Sequence, residues 1–349
     1  MTAEYPDIYV YQKKKVVNSN RNGKANKLLV IGAFDTLVSD PALYVDKDEC
    51  ITALGDDVNY NGCKALPQLW KGASSILAVN ITTETEGTRD KTLTTAKLSS
   101  ALAKVKGEDF DIVYVAESIT DEAIVIIDTF LNEHERMKLP AGYVAGINRA
   151  TTSAYLTTAG IAGEHCYGLL TQALKVDGVE LDIIESSAYY VSVLCNLPVR
   201  NTMTIEQIPA VTGVMPELTF ETGDAGLSLL GAGITTIKPV DRGSSKFVVV
   251  NSEQPNGLDL YINRVRDYVI KELNLHRFLG ERNRPATYNE VIQELDRVKY
   301  NCIDSLDLLK DISYIVEKVD SKTVKIDDLK LVFDGIITRI NVYYYIKVE

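Results

Sequence analysis

Several groups of residues in this chain have the types and spacing from which chemistry is built. His165 and Cys166 are neighbours, and a thiol beside an imidazole is the raw material of a nucleophile and its base. Adjacent helical residues face different ways, and working thiol–imidazole couples are brought together by the fold, not by adjacency. The pair reads as a buried thiol beside a half-exposed imidazole. Gly226, Gly231 and Gly233 form a glycine-rich run that could cradle a phosphate. No Lys-Ser or Lys-Thr follows the last glycine, and Thr236 stands where G-x-G-x-x-G needs its third. These glycines read as a turn. Asp56-Asp57 and Asp327-Asp328 lack EF-hand spacing and read as solvated turns. Asn80-Ile81-Thr82 matches a glycosylation acceptor, but it closes a predicted buried strand. His134, His165 and His276 are scattered. The five cysteines include no C-x-x-C, which fits reduced, buried thiols better than a zinc site or a disulfide framework. G-x-S-x-G and H-E-x-x-H are absent. No catalytic, cofactor-binding or metal-ligating residue is assigned, and no cofactor is expected.

The elements that would have to position any such site follow from pattern. Lys27–Gly32, Ser75–Ile81, Asp111–Ala116 and Ala141–Gly146 are apolar runs of buried-strand length. Between them, Leu93, Ala96, Ala101, Leu102 and Val105 recur at helical spacing, and Thr120 caps a helix striped by Ile124, Ile127 and Leu131. Strands alternating with helices predict an α/β domain over 27–150 with a largely parallel sheet. From 151 to 335 the pattern loosens towards α+β. Gly160–Leu174 reads as helical, Tyr189–Leu194 as a strand or a buried helix, and Lys246–Asn251 as a strand. A helix follows through Leu258, Ile262, Val265, Val269 and Leu273, and Thr287 with Glu290 reads as a capping box opening another.

Both ends of the chain look like arms. Ile8 and Val10 alternate within a short strand before a polar stretch, which sets 1–26 apart as a frayed terminus or, paired outside its own domain, as an N-terminal arm. At the other end Ile340, Val342, Tyr344, Ile346 and Val348 share one face of a strand in 336–349. Neither strand has an evident partner nearby in sequence.

The balance of 37 Lys plus Arg against 48 Asp plus Glu over 349 residues gives a net charge of −11. That lacks the electrostatic footprint of a nucleic-acid or anionic-membrane binder. No apolar run reaches the roughly 20 residues of a membrane span, and Met1–Pro6 shows no signal-peptide pattern, so synthesis and folding in a cytoplasm are expected. Lys13–Lys15 and the group Arg277, Arg282 and Arg284 are small basic clusters on this acidic background. They read as solvated faces, or as docking points for the acidic surface of other copies, which salt-dependent self-association would test.

Phe247–Ser252 followed by Tyr261–Val269 resembles the "V-N-S/T" strand end and "N-R-V-x-R-x-x-D-Y-I" helix of contractile tail sheath proteins. Phe278-Leu279-Gly280 with Asn283 is similar to that family's "Y-I-G-K-x-x-N", and Asp334 to Val348 resembles its terminal strand. Pro198–Thr204 with Ile208 and Pro209 looks like a degenerate form of its "P-x-x-x-S-x-T-y-x-x-i-P" element. Leu69–Ile81 looks like its "f-x-n-G-a-x-x-v-x-v-x-R-i" phrase, with Asn80 in place of Arg, and Tyr5–Val10 like "P-G-V-Y-V", with Asp7 in place of Gly.

The resemblance implies a two-lobed structural subunit, not an enzyme. Such subunits stack as hexameric rings around a tail tube and contract from an extended, metastable lattice. The family's partners would be other copies of the chain, the tube protein, and baseplate and tail terminator proteins, with no nucleic acid and no membrane insertion. Its place would be a virion tail or related contractile particle assembled in the host cytoplasm. On this reading Ile8, Val10, Ile340, Val342, Tyr344, Ile346 and Val348 carry strand exchange between subunits. A nucleotide- or sugar-using α/β enzyme is the alternative from another class, and a baseplate or adaptor subunit of the same fold is a third.

Overall fold

The structure is a computed structural model that describes residues 25–37, 41–137, 139–204, 206–240, 244–273, 278, 285–318, 323–333 and 342–347. They fall into two compact units, one ending at Arg264 and one beginning at Val265.

The first unit opens with β1 (Lys27–Gly32), β2 (Ala42–Tyr44), α1 (Lys47–Leu54), α2 (Asn61–Leu69) and β3 (Ser75–Asn80). A hairpin of β4 (Thr83–Thr85) and β5 (Thr88–Asp90) leads to α3 (Thr95–Lys104), β6 (Ile112–Ser118), α4 (Asp121–Arg136) and β7 (Gly142–Gly146). Then come α5 (Thr152–Ile161), β8 (Cys166–Leu170), β9 (Ala173–Val176), β10 (Val179–Glu180) and α6 (Ile183–Asn196). The unit continues through β11 (Val211–Met215), α7 (Ala225–Gly231), β12 (Ile237–Pro239) and β13 (Phe247–Val249) into α8 (Leu260–Glu272), in which the boundary falls.

Its six-stranded sheet has the order β2-β3-β1-β6-β7-β8, parallel except for β2. The middle strands are covered on both faces, which explains why they read as unbroken apolar runs instead of alternating ones. Thr94 and Thr120 cap α3 and α4, each accepting a backbone N–H from the first turn. The four expected strands and both expected helices are therefore present.

Two expectations are corrected here, and one of two open readings is decided. Gly160–Leu174 is not one helix: α5 stops at Ile161, and β8 enters the sheet beside β7. All five residues of β8 are buried, and a short apolar run carries no periodicity that separates strand from helix. The same pairing carries the sheet across residue 150, so the compact unit does not end there. The run Tyr189–Leu194 belongs to a helix, α6, opened by a capping box of Asp182 and Glu185 and buried on nearly every side.

In the second unit α9 (Pro285–Tyr300) begins at a proline, whose missing N–H costs nothing in the first turn. Thr287 therefore lies inside the helix and is not its cap. A three-stranded antiparallel sheet follows, of β14 (Asp311–Lys318), β15 (Thr323–Val332) and β16 (Val342–Lys347), in that order. Asp327 and Asp328 sit within β15, not in a turn.

Candidate functional site

Among the described residues, those with catalytic potential do not assemble into a reaction centre. Burial pushes the Cys166 thiol up to about 12, so it stays protonated and is a poor nucleophile. His165 is buried, with its Nε2 3.4 Å from Glu135 Oε2. The glycine run forms α7 and the turn after it. Gly226 packs against the Thr219 carbonyl, and Gly233, at φ +74°, closes on the backbone of Gln254 and Pro255. Asn80 is buried and turned inward, accepting from the Phe34 and Thr82 amides and donating to the Thr36 carbonyl at 2.6 Å. Asp57 is an exposed turn carboxylate held by Asn59.

What the fold does bring together are the polar motifs that carried the resemblance. Thr202 and Thr204 meet Ser252 and Asp259 just ahead of α8. Ser252 Oγ donates to Asp259 Oδ2 at 2.6 Å, and Thr202 Oγ1 donates to the same oxygen at 3.0 Å. Thr204 Oγ1 accepts from the Ser252 amide at 2.9 Å. With no imidazole or amine in this cluster to take a proton, the carboxylate has nothing to relay. It ties the 202–204 loop to the loop that starts α8.

One turn further on, Arg264 is fully buried. Its Nη2 donates to the carbonyls of Leu194 at 2.9 Å and Leu197 at 2.8 Å, and its Nη1 lies 3.4 Å from the Pro198 carbonyl. These oxygens close α6, so the guanidinium sits at the negative end of that helix, where a cation is stabilised. Gly72 is the third such position. A Cβ there would overlap the Ser192 carbonyl oxygen and lie 2.8 Å from its carbon and 2.9 Å from its Cα, so glycine allows the loop to touch α6.

In the C-terminal sheet, β14 and β16 stand at the two ends of the strand order. Ile312 is buried, Tyr314 Oη donates to Asp296 Oδ1 at 2.5 Å, and Lys299 Nζ donates to Asp311 Oδ1 and the Ile312 carbonyl at 2.8 Å each. One face of β14 is thereby packed on α9. Ser313, Ile315 and Glu317 alternate onto the other face and are exposed, Ile315 by 50%.

Of the residues expected to carry strand exchange, Val342, Tyr344 and Ile346 lie in β16, in register with Leu329, Ile326 and Val324 of β15. The last strand thus has a partner in its own chain, which corrects the expectation that nothing local pairs with it. Ile8, Val10, Ile340 and Val348 lie outside the described residues, as do Lys13–Lys15, Arg277, Arg282 and Arg284. The β14–β15 hairpin was not anticipated, although Ile312, Tyr314 and Val316 carry the period-2 signal that marks it.

No protein-family model matches the sequence, and no curated protein resembles it in sequence. Solved structures do resemble it in fold. The sheath tail protein of Desulfitobacterium hafniense superposes with a TM-score of 0.71 at 12% identity, over 98% of this chain and 100% of that one. The sheath tail protein of Listeria innocua gives 0.68 at 9% identity, over 94% and 96%. The contracted helical sheath of the anti-feeding prophage gives 0.61 at 12% identity, over 99% and 96%. The chain has the fold of contractile tail sheath proteins.

Proposed function

We propose that this chain is a structural subunit of a contractile sheath and not an enzyme. The observation that carries the reading is the end-to-end match, which spans 98% of this chain and all of a sheath tail protein. In this role copies of the chain stack as hexameric rings around a tail tube, in a virion tail or a related contractile particle. Baseplate and terminator proteins bound the stack, and the lattice contracts from an extended, metastable state to drive the tube outward. Two lattices that differ by a few kcal/mol per subunit, summed over many copies, suffice for such a stroke.

The two arms, 1–26 and 336–349, link neighbours by strand exchange through Ile8, Val10, Ile340, Val342, Tyr344, Ile346 and Val348. Pairing of β16 with β15 inside one chain supports this, because the same ladder between two chains is a domain swap that costs little. The arms keep neighbours attached while the compact units repack.

Negative-stain microscopy of the full chain beside a version ending at Asp334 tests the proposal. Long hollow tubes from the full chain and none from the shortened one are expected. Monodisperse particles from both, under conditions that promote assembly, would remove the sheath reading.

A further inference from the structure

The parallel sheet of the first unit changes its direction of growth between β1 and β6. The chain passes from β1 outward to β3, then returns to add β6 on the opposite side of β1. In open α/β sheets the crevice beyond the carboxyl ends of the strands at such a switch point is where ligands lodge. Here that crevice is a cleft of about 530 Å3, within the range of small-molecule sites.

Its lining is mostly polar, with an apolar strip made by Ala33 just after β1, Leu98 of α3 and Ala123 of α4. The polar groups decide what could bind. Glu117, at the end of β6, uses Oε2 to accept from Asn61 Nδ2 at 2.8 Å, and burial raises its pKa. Glu122 adds a second carboxylate. The one cation of the lining, Lys91, is engaged, its ammonium 3.7 Å above the Tyr60 ring and 3.4 Å from the Asn59 carbonyl. Thr94 and Thr120 already accept the Lys97 and Ala123 amides at the starts of α3 and α4. Two carboxylates, an occupied cation and capped helix starts disfavour an anion. A carboxylate acceptor beside an apolar strip in a polar cleft instead complements a neutral ring that donates hydrogen bonds from one edge and presents C–H groups on its face.

We propose that this cleft binds a neutral, hydroxyl-rich ring, a saccharide or the ribose of a nucleoside, with Glu117 accepting from its hydroxyls. The site is independent of the sheath reading and would stand if that reading failed.

Saturation-transfer NMR and titration of the full chain with methyl glucoside, methyl galactoside, adenosine, uridine and inorganic phosphate provide the test. At least one ring ligand should bind with a Kd of about 1 mM or tighter. Glu117→Gln should weaken it about tenfold, and Thr95→Trp, at an exposed position on the rim, should block it, both with wild-type thermal midpoints. A response to the glycosides alone assigns a saccharide, and one to the nucleosides alone assigns the ribose. Absence of binding by every ring ligand up to ~10 mM, binding of phosphate alone, or binding that ignores both variants would overturn the proposal.

Discussion

Replacing Gly72 with alanine should be among the costlier single-methyl additions in the molecule. The new Cβ would meet three atoms of the Ser192 peptide, its carbonyl oxygen, its carbon at 2.8 Å and its Cα at 2.9 Å. All three belong to the backbone of a helix buried on nearly every side, so no side chain can rotate out of the way. Either α6 or the loop carrying Gly72 must move. That motion also strains the bond from Asn196 Nδ2 to the Lys71 carbonyl, at 2.9 Å. Overpacking of a rigid core costs about 1–3 kcal/mol, and a weakened hydrogen bond adds about 1. Stiffening of the unfolded chain returns roughly 0.4–1 kcal/mol. The net is a loss of about 1–4 kcal/mol. Gly160→Ala is the control: Gly160 is an exposed helical residue with nothing within 4 Å of its Cβ position, and there alanine should stabilise by roughly 0.5–1 kcal/mol. Urea unfolding of the two variants, followed by circular dichroism, reads the difference. A Gly72→Ala protein within about 0.5 kcal/mol of wild type would refute the claim that this glycine exists for close packing.

Two further outcomes follow from the buried polar groups. Arg264→Ala should destabilise by about 3–5 kcal/mol, since it empties the space of a large, fully buried side chain and leaves the Leu194 and Leu197 carbonyls without their donor, and Arg264→Met, which fills most of that space, should lose less; denaturation midpoints check both. Burial raises the pKa of Asp128, so the folded state holds its proton at a pH where the unfolded chain has released it. Stability linked to this group therefore falls as pH rises above the unfolded value of about 4 towards the raised folded value. The urea midpoint of Asp128→Asn, relative to wild type at each pH, should accordingly improve between pH 4 and neutrality, and a constant difference would contradict the assignment.

Much of the first unit was legible because its strands are buried on both faces and its helices carry their own caps. β1, β3, β6 and β7 are unbroken apolar runs, and Thr120 followed by a striped helix has few other readings. Where a run is short and apolar the signal fails: β8 and the middle of α6 look alike in sequence, and the difference lies in what packs around them. The candidate site was legible in one half. Alternation marked β16 as a strand, but its partner β15 has a register irregularity between Ile326 and Leu329 that interrupts the alternation around Asp327 and Asp328. The motif residues were visible as letters, while their work was not. That Arg264 closes α6, that Gly72 touches Ser192, and that Thr202, Ser252 and Asp259 form one cluster are facts of tertiary contact between segments up to 120 residues apart.

Within the sheath reading, the pairing of β16 to β15 in a single chain limits where the free energy of polymerisation can come from. A strand that leaves its own β15 for a neighbour's makes the same ladder again, so each backbone bond, worth about 1 kcal/mol net, is lost once and regained once. The C-terminal exchange then supplies connection and register, and little affinity. Affinity has to come from surface that the single chain leaves open. Among the described residues the outer edge of β14 is such a surface, because β14 ends the order of its sheet and pairs there with no other strand. A strand added at that edge forms a new ladder instead of a substituted one, and edges of this kind are templates for another chain. The two arms should therefore fail differently. Removing residues 1–26, if the Ile8–Val10 strand is what adds there, should raise the concentration needed for assembly. Removing the C-terminal strand should leave subunits that associate but do not stay in register. Sedimentation measures the first effect and microscopy the second, and identical defects in both truncations would mean that the exchange of β16 also supplies affinity.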